Sequence, residues 1–364
     1  MALSRGSRWF LAGVLVLVAA GAGTLAWIDA NLFGSGVEPG IAVDYEVTEG
    51  QTVRAVGEDL AERGVVSSAV RFRFAAEDAG LAARLLPGTY ALETGMSNDE
   101  VIEILAEGPP PPPTVWFTVP EGLPVELTLE RLASQFDGYD VDDFREVLDA
   151  RRDAGANGEG LLRLPEWLPE PAEFSDETEP FEGVLFPETY EVLEMAAPRD
   201  ILQRMVDQLE HVLDEVGADA RAAADEAGRS TYDMMIIASL IERETRVDEE
   251  RSLVSGVIEG RLADGMRLQI DATVLYARGE HTERVLLEDT EIDSPYNTYQ
   301  VDGLPPTPIS GFGAASLHAA YEPADVAYRY YVLDPSCDGT HVFAESLEEH
   351  NQNVAAFRDA GGCR

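Results

Sequence analysis

The chain has 364 residues, 45% of them hydrophobic, which is long enough for two or three domains and apolar enough to bury a core; a disordered chain and a small disulfide scaffold are excluded. Twenty-six basic against 68 acidic side chains leave a formal net charge of −42, which opposes nucleic acid and anionic membrane surfaces by Coulomb repulsion. Every basic residue is arginine, a compositional bias that carries little functional information.

Residues 9–28 form an uncharged run that opens at Trp9 and closes at Ile28. At about 1.5 Å per helical residue it matches the roughly 30 Å hydrocarbon core of a bilayer. Arg5 and Arg8 precede it and Asp29 follows, so the bias of positive charge to the inside places residues 1–8 in the cytoplasm. The expectation is a single-pass protein of the cytoplasmic (inner) membrane, its bulk outside the cytoplasm. Ala20-Gly21-Ala22 resembles a cleavage site, so a removable signal peptide is the alternative, although the apolar run is long for one. Both put the rest of the chain beyond the membrane.

After a linker at 29–43, residues 44–108 read as a small domain. Tyr45 and Val47 suit a strand; Val53, Val56 and Leu60 keep helical spacing up to Gly64. A second helix falls in the seventies. Pro87-Gly88 turns into a strand at 89–92, and Ser97 with Glu100 is a capping box that opens a closing helix. The order is strand, helix, helix, strand, helix. Residues 109–113 are five prolines, a stiff polyproline spacer of roughly 15 Å, and a domain boundary is expected there.

Residues 114–364 are expected to form a larger mixed α+β domain. A strand at 115–119 is followed by helical stretches around 127–132 and 144–148. Residues 151–180 are acidic, proline-rich towards their end and without periodicity, as in a loop or insertion. Ile201, Leu202, Met205, Leu209, Val212 and Leu213 mark one face of a helix over 199–216.

The chemistry concentrates from residue 231 onward. Ser230 and Asp233 make a capping-box-like start, and residues 234–241 are nearly all apolar, which predicts a buried helix ending in Glu242-Arg243-Glu244-Thr245. At about 100° per residue, Glu244 lies about 20° from Ile237 in the apolar stripe, whereas Glu242 lies about 140° away. A carboxyl on the core face keeps its proton at neutral pH, as a general acid requires. The alternative for Glu244 is a plain ion pair with Arg243 or Arg246. Residues 267–273 alternate like a strand and interleave Gln269 and Asp271, groups able to bind hydroxyls. Tyr296, Asn297, Thr298 and Tyr299 form a polar and aromatic loop of the kind that binds sugars, though its tyrosines also suit a core edge. Residues 303–309 are a proline-rich turn.

No HExxH occurs among the scattered histidines, against a zinc hydrolase, and no GxSxG, against a serine hydrolase. No metal and no cofactor are expected. Cys337 and Cys363 are the only cysteines; outside the cytoplasm they either pair and tether the C-terminal tail or stay free.

The ordered stretches IIASLIERET, GMRLQIDATVLYARG, SPYNTYQVDGLPPTPI and HVFAESLEEHNQNV resemble the YceG-like family of endolytic murein transglycosylases. LPGTYALETGMSNDEVIEIL resembles that family's small LysM-like domain, and the segment from Glu182 through Tyr190 resembles its EG-[FY]-L-[FW]-P-[DE]-T-[YW] motif. The fold implied is α+β: an N-terminal transmembrane helix, a LysM-like βααβ domain at 44–108 and a mixed catalytic domain at 114–364 with core motifs at 181–358. The activity implied is endolytic cleavage of the MurNAc-GlcNAc bond in nascent peptidoglycan, leaving a 1,6-anhydro-MurNAc end, with Glu244 catalytic. Gln269, Asp271, Tyr296, Asn297 and Thr298 are the candidate sugar-binding residues, with Glu182 and Tyr190 as additions. The chain departs from the family at Thr307 and at Ser310-Gly311-Phe312-Gly313, where an Asn-Pro-Gly-like stretch is usual. Two alternatives stand beside this: a muramidase with Asp271 or Glu182 as second carboxylate, and a non-catalytic wall-binding scaffold. The topology suggests cell-wall synthases as neighbours.

Overall fold

The structure, a computed structural model, describes residues 38–154, 160–175, 177–279 and 285–363. The expected span at 9–28 and the tail at 1–8 lie outside the described residues, among which no helix is long and apolar enough to cross a membrane. The chain divides into two units, Met1–Pro112 and Pro113–Arg364.

In the first unit, β1 (Ala42–Val47) and β2 (Gly88–Glu93) pair antiparallel with Tyr45 opposite Tyr90. Between them run α1 (Val53–Glu62) and α2 (Ala69–Asp78), and α3 (Asn98–Glu107) follows. The capping box forms in full: Glu100 N–H donates to Ser97 Oγ and Ser97 N–H to Glu100 Oε2. Val56, Leu60, Phe72, Tyr90, Val101 and Leu105, drawn from the helices and the sheet, close one core.

The second unit begins with β3 (Thr114–Thr118), which pairs antiparallel with β4 (Thr189–Leu193) across a long excursion. That excursion holds α4 (Val125–Ala133) and α5 (Val141–Ala154). The stretch without periodicity that follows is packed down: Arg151 is buried against Glu170 at 3.1 Å and the Leu162 carbonyl, while Leu162 and Leu168 join the core. Then come α6 (Pro198–Glu215), α7 (Ala218–Glu226), α8 (Thr231–Glu244) and α9 (Arg251–Ala263). Every residue of α8 from Met234 to Ile241 is buried, which explains why its apolar sequence surrounds the helix instead of marking one stripe. α10 (Asp271–Arg278) and α11 (Ala314–Tyr321) pack on α8, and β5 (Tyr330–Leu333), β6 (His341–Ala344) and α12 (Leu347–Asp359) end the chain.

Residues 267–273 differ from expectation. Leu268 and Ile270 are buried and Gln269 is exposed, so the alternation is present, but Gln269 has φ 51° and Asp271 starts α10. The segment is irregular because its backbone is held singly: Gln269 N–H donates to the Thr298 carbonyl and Ile270 N–H to Thr298 Oγ1. Gly183, at φ 75°, has its missing side chain replaced by Pro308; a Cβ there would sit 2.9 Å from the proline ring, so glycine lets the 182–190 motif close on the proline turn. Cys337 and Cys363 are joined in a disulfide with Cα atoms 5.5 Å apart, settling the alternative the sequence left open.

Candidate active site

Glu244 is the last residue of α8 and is half-buried. Its Oε2 accepts a 2.7 Å hydrogen bond from the Tyr331 hydroxyl on β5. Burial pushes its carboxyl above the ordinary range; the Tyr331 hydrogen bond opposes this, the charge of Asp271 adds to it, and His341 and Arg243 oppose it. Desolvation prevails, so the proton is retained beyond the range of an ordinary carboxyl.

Glu242 faces a different partner set. Its Oε2 accepts from Arg251 at 3.2 Å, from Ser316 Oγ at 2.8 Å and from Gly313 N–H at 3.2 Å. Both side chains of the Glu242–Arg251 pair are largely buried. One glutamate is a structural anion; the other stands beside an aspartate and no arginine claims it as an ion-pair partner among the described residues.

Tyr331 is held from behind. Its ring meets His341 edge-on with centroids 5.3 Å apart, and His341 is pinned to Glu250 through Nδ1 at 2.7 Å and its own N–H at 2.8 Å. Buried Arg261 lies over the Tyr330 ring at 5.3 Å and donates to the Arg329 and Leu268 carbonyls, joining α9, the Gln269 segment and β5. The Tyr299 hydroxyl donates to Asp271 Oδ1 at 2.5 Å, and burial with the Asp271 hydrogen bond raises the Tyr299 hydroxyl well above its usual range.

The sequence candidates therefore separate. Glu244, Asp271 and the exposed Gln269 lie at the ends of two packed helices, α8 and α10, and in the strained turn before α10. Asn297 and Thr298 are fully buried and correct the sugar-binding expectation: Asn297 Nδ2 donates to the Thr290 and Ile292 carbonyls, and Thr298 Oγ1 accepts from Ile270 N–H. They build the loop and offer nothing to a ligand. Tyr190 is also internal, donating to the Phe186 carbonyl at 2.6 Å and stacked on Phe117. Tyr296 bonds Thr307 at 2.7 Å, and Glu182 takes Val125 N–H at 3.1 Å and the Tyr276 hydroxyl at 3.0 Å. These last two underlie a cleft with almost no surface of their own. Burial raises Glu182 to about 8. Tyr331 and His341 were missed, because nothing in local spacing connects an aromatic cluster at 328–331 with a helix end near 244.

Residues 45–356 match the YceG-like family. The chain belongs to that family. An endolytic murein transglycosylase of Bacillus subtilis is 30% identical over 311 residues, covering 85% of this chain and 83% of that protein. One of Streptococcus pneumoniae is 29% identical over 329 residues, covering 86% of this chain; the match spans 58% of the pneumococcal protein. The crystal structure of a yceG-like protein from Listeria monocytogenes superposes with a TM-score of 0.54 at 26% identity, covering 85% of this chain and 98% of that one. This chain thus shares a mixed α+β fold with the Listeria protein, and the Glu244 neighbourhood lies inside the region matched to the family.

Proposed function

We propose that this protein is an endolytic murein transglycosylase, held in the cytoplasmic membrane by residues 9–28, with residues 44–108 as a LysM-like glycan-binding domain and Glu244 as catalytic acid and base. Family membership and the names of the relatives support the reaction; the Glu244 carboxyl at the end of α8, hydrogen-bonded to Tyr331 with its proton affinity raised by burial, is the observation that carries the mechanism.

One carboxyl suffices for this chemistry. Glu244 donates its proton to the oxygen linking C1 of MurNAc to the next sugar, and that bond breaks with the oxygen leaving as a hydroxyl. The C6 hydroxyl of the same MurNAc attacks C1 and gives its proton to the Glu244 carboxylate, closing a 1,6-anhydro ring and restoring the acid. The nucleophile is part of the substrate, so no water has to be positioned. Tyr331 holds the carboxyl in place and stabilises it while it is charged. Asp271, fixed by Tyr299, puts a negative charge beside the anomeric carbon as positive charge develops there. Gln269 is placed to take a sugar hydroxyl.

The nearness of Asp271 to Glu244 also favours a second reading, a muramidase in which Asp271 activates water. Mass spectrometry of products from purified glycan strands separates the two. The transglycosylase yields anhydro ends with no added water and Glu244→Gln yields none; reducing ends one water heavier would establish hydrolysis instead. Unchanged activity in Glu244→Gln would remove Glu244 from the mechanism. Cell-wall synthases are the partners this location suggests, and crosslinking in the membrane that captures none would count against them.

A further inference from the structure

We infer that Glu250 and His341 are positioning residues of the reaction: Glu250 locks the His341 imidazole, and that ring sets the Tyr331 hydroxyl against the Glu244 carboxyl. The inference rests on Glu244 as the proposed acid and base, and adds two residues that act through Tyr331 and not on the sugar.

Glu250 ends the turn at Asp248–Glu250, just beyond α8, and its side chain is 11% exposed. A carboxylate placed so deeply needs a partner, and Arg251 is its chain neighbour. Arg251 turns instead to Glu242 and Asp248. Glu250 takes both N–H groups of a single residue: its Oε1 accepts the main-chain N–H of His341 at 2.8 Å, and its Oε2 meets Nδ1 at 2.7 Å. An ionised carboxylate only accepts, so this pairing selects the imidazole tautomer with hydrogen on Nδ1 and fixes the plane of the ring.

The fixed ring packs against the partner of the acid. Side chains two apart on a strand share a face, so His341 and Phe343 of β6 lie on the face that carries Tyr331 of β5. Tyr331 is opposite Phe343, with ring centroids 6.0 Å apart, and diagonal to His341, which it meets at 5.3 Å and an interplanar angle of 80°. Of these two neighbours only His341 is tied to a carboxylate. The Tyr331 hydroxyl then reaches Glu244 Oε2 at 2.7 Å. A clamp that merely docked the hairpin would need the two hydrogen bonds to Glu250 but not the ring. The ring matters to a reaction, because a misplacement of about 1 Å can cost roughly a hundredfold in rate.

Asp271 of α10, Arg243 of α8, Arg261 of α9 and Tyr299 also act on Glu244, and the substitutions below leave all of them in place. His341 and the Tyr331 hydrogen bond both favour the ionised carboxyl, so losing either moves the alkaline limb of the pH–rate profile up.

The test is a double-mutant cycle on kcat, with the full-length protein in detergent and uncrosslinked glycan strands as substrate. His341→Asn keeps a side-chain donor near the Nδ1 position for Glu250 and removes the ring. It is expected to lower kcat roughly tenfold or more, the value of a hydrogen bond to a charged group, with KM little changed and the alkaline limb moved up. In a Tyr331→Phe background the same substitution should lower kcat hardly further, because the hydroxyl it positions is already gone. Glu250→Gln keeps the ring and breaks one of its two anchors; as the second variant in the same cycle it carries the same expectation for kcat, each protein being assayed below its melting temperature. A docking role predicts the parent kcat in His341→Asn, or a loss as large on Tyr331→Phe as on the parent. Either result, or an alkaline limb that stays or moves down, would overturn the inference while Glu244→Gln remained inactive. An active Glu244→Gln would overturn the proposed acid and this inference with it.

Discussion

Glu242 and Glu244 stand two positions apart on one helix, yet the surroundings give them different work. Replacing Glu244 by Gln keeps the shape and removes the proton, so strand cleavage should fall by at least about a hundredfold with the melting temperature little changed. Glu242→Ala does the reverse. It leaves the buried Arg251 with only the exposed Asp248 as an anion and should cost up to about 3 kcal/mol, measured by denaturant unfolding. Two further substitutions have opposite signs. Tyr331→Phe removes a hydrogen bond that favours the charged carboxylate, so Glu244 holds its proton to higher pH and the alkaline limb of the pH–rate profile moves up. Asp271→Asn removes a negative charge that favours the neutral form, so the limb moves down. Movement of both limbs in the same direction would contradict the arrangement. At this scale the sequence was legible in part: the helical angle singled out Glu244 beside Ile237, but α8 is buried all round and Glu242 is largely buried as well, so the two differ by partner, Arg251 against Tyr331, and not by exposure. Tyr331 was not legible, because a contact across 87 residues of chain leaves no local spacing to read.

Among the elements, those with caps and stripes were read from sequence with small errors in their ends. The Ser97 and Ser230 capping boxes form as expected, and the stripe from Ile201 to Leu213 faces the core of the second unit. Alternation misled at 267–273, since buried, exposed, buried is produced equally by an irregular turn leading into a helix. It also suggested that polar residues in the 294–299 loop await a ligand, whereas Asn297 and Thr298 satisfy backbone groups that a buried loop would otherwise leave unpaired. Glu182 joins α4, α10 and the cleft, and its ionisation gives a stability test. Its folded value of about 8 lies above that of an unfolded glutamate, so its contribution to stability is fully present below about pH 4.5 and is lost as pH rises towards 8. Glu182→Gln, a mimic of the neutral acid, should therefore match the parent near pH 4 and exceed it in thermal stability near pH 8. A gain of equal size at both pH values would contradict a buried neutral Glu182.

For the whole molecule, the C-terminal hairpin and helix complete the site from the far end of the chain. β5 brings Tyr331 and β6 brings His341, while α12 has no buried residue of its own. The disulfide from the hairpin turn to residue 363 closes 26 residues of chain around this unit, and in the loop-entropy account such closure is worth about 3.5 kcal/mol. Replacing both cysteines by serine should lower the melting temperature and reduce activity together, because Tyr331 depends on the hairpin; full activity in a destabilised variant would show that the hairpin stands without its tether. The sequence indicated that the two cysteines either pair or stay free, and no local pattern decides between these. The central claim is that burial holds the Glu244 proton to higher pH than an ordinary carboxyl would. Carbon NMR of the protein labelled at its glutamate side-chain carboxyls, with the Glu244 signal assigned by its loss in Glu244→Gln, measures this directly. The account predicts a Glu244 midpoint clearly above the ordinary value near 4.5; a midpoint at or below that value would contradict it.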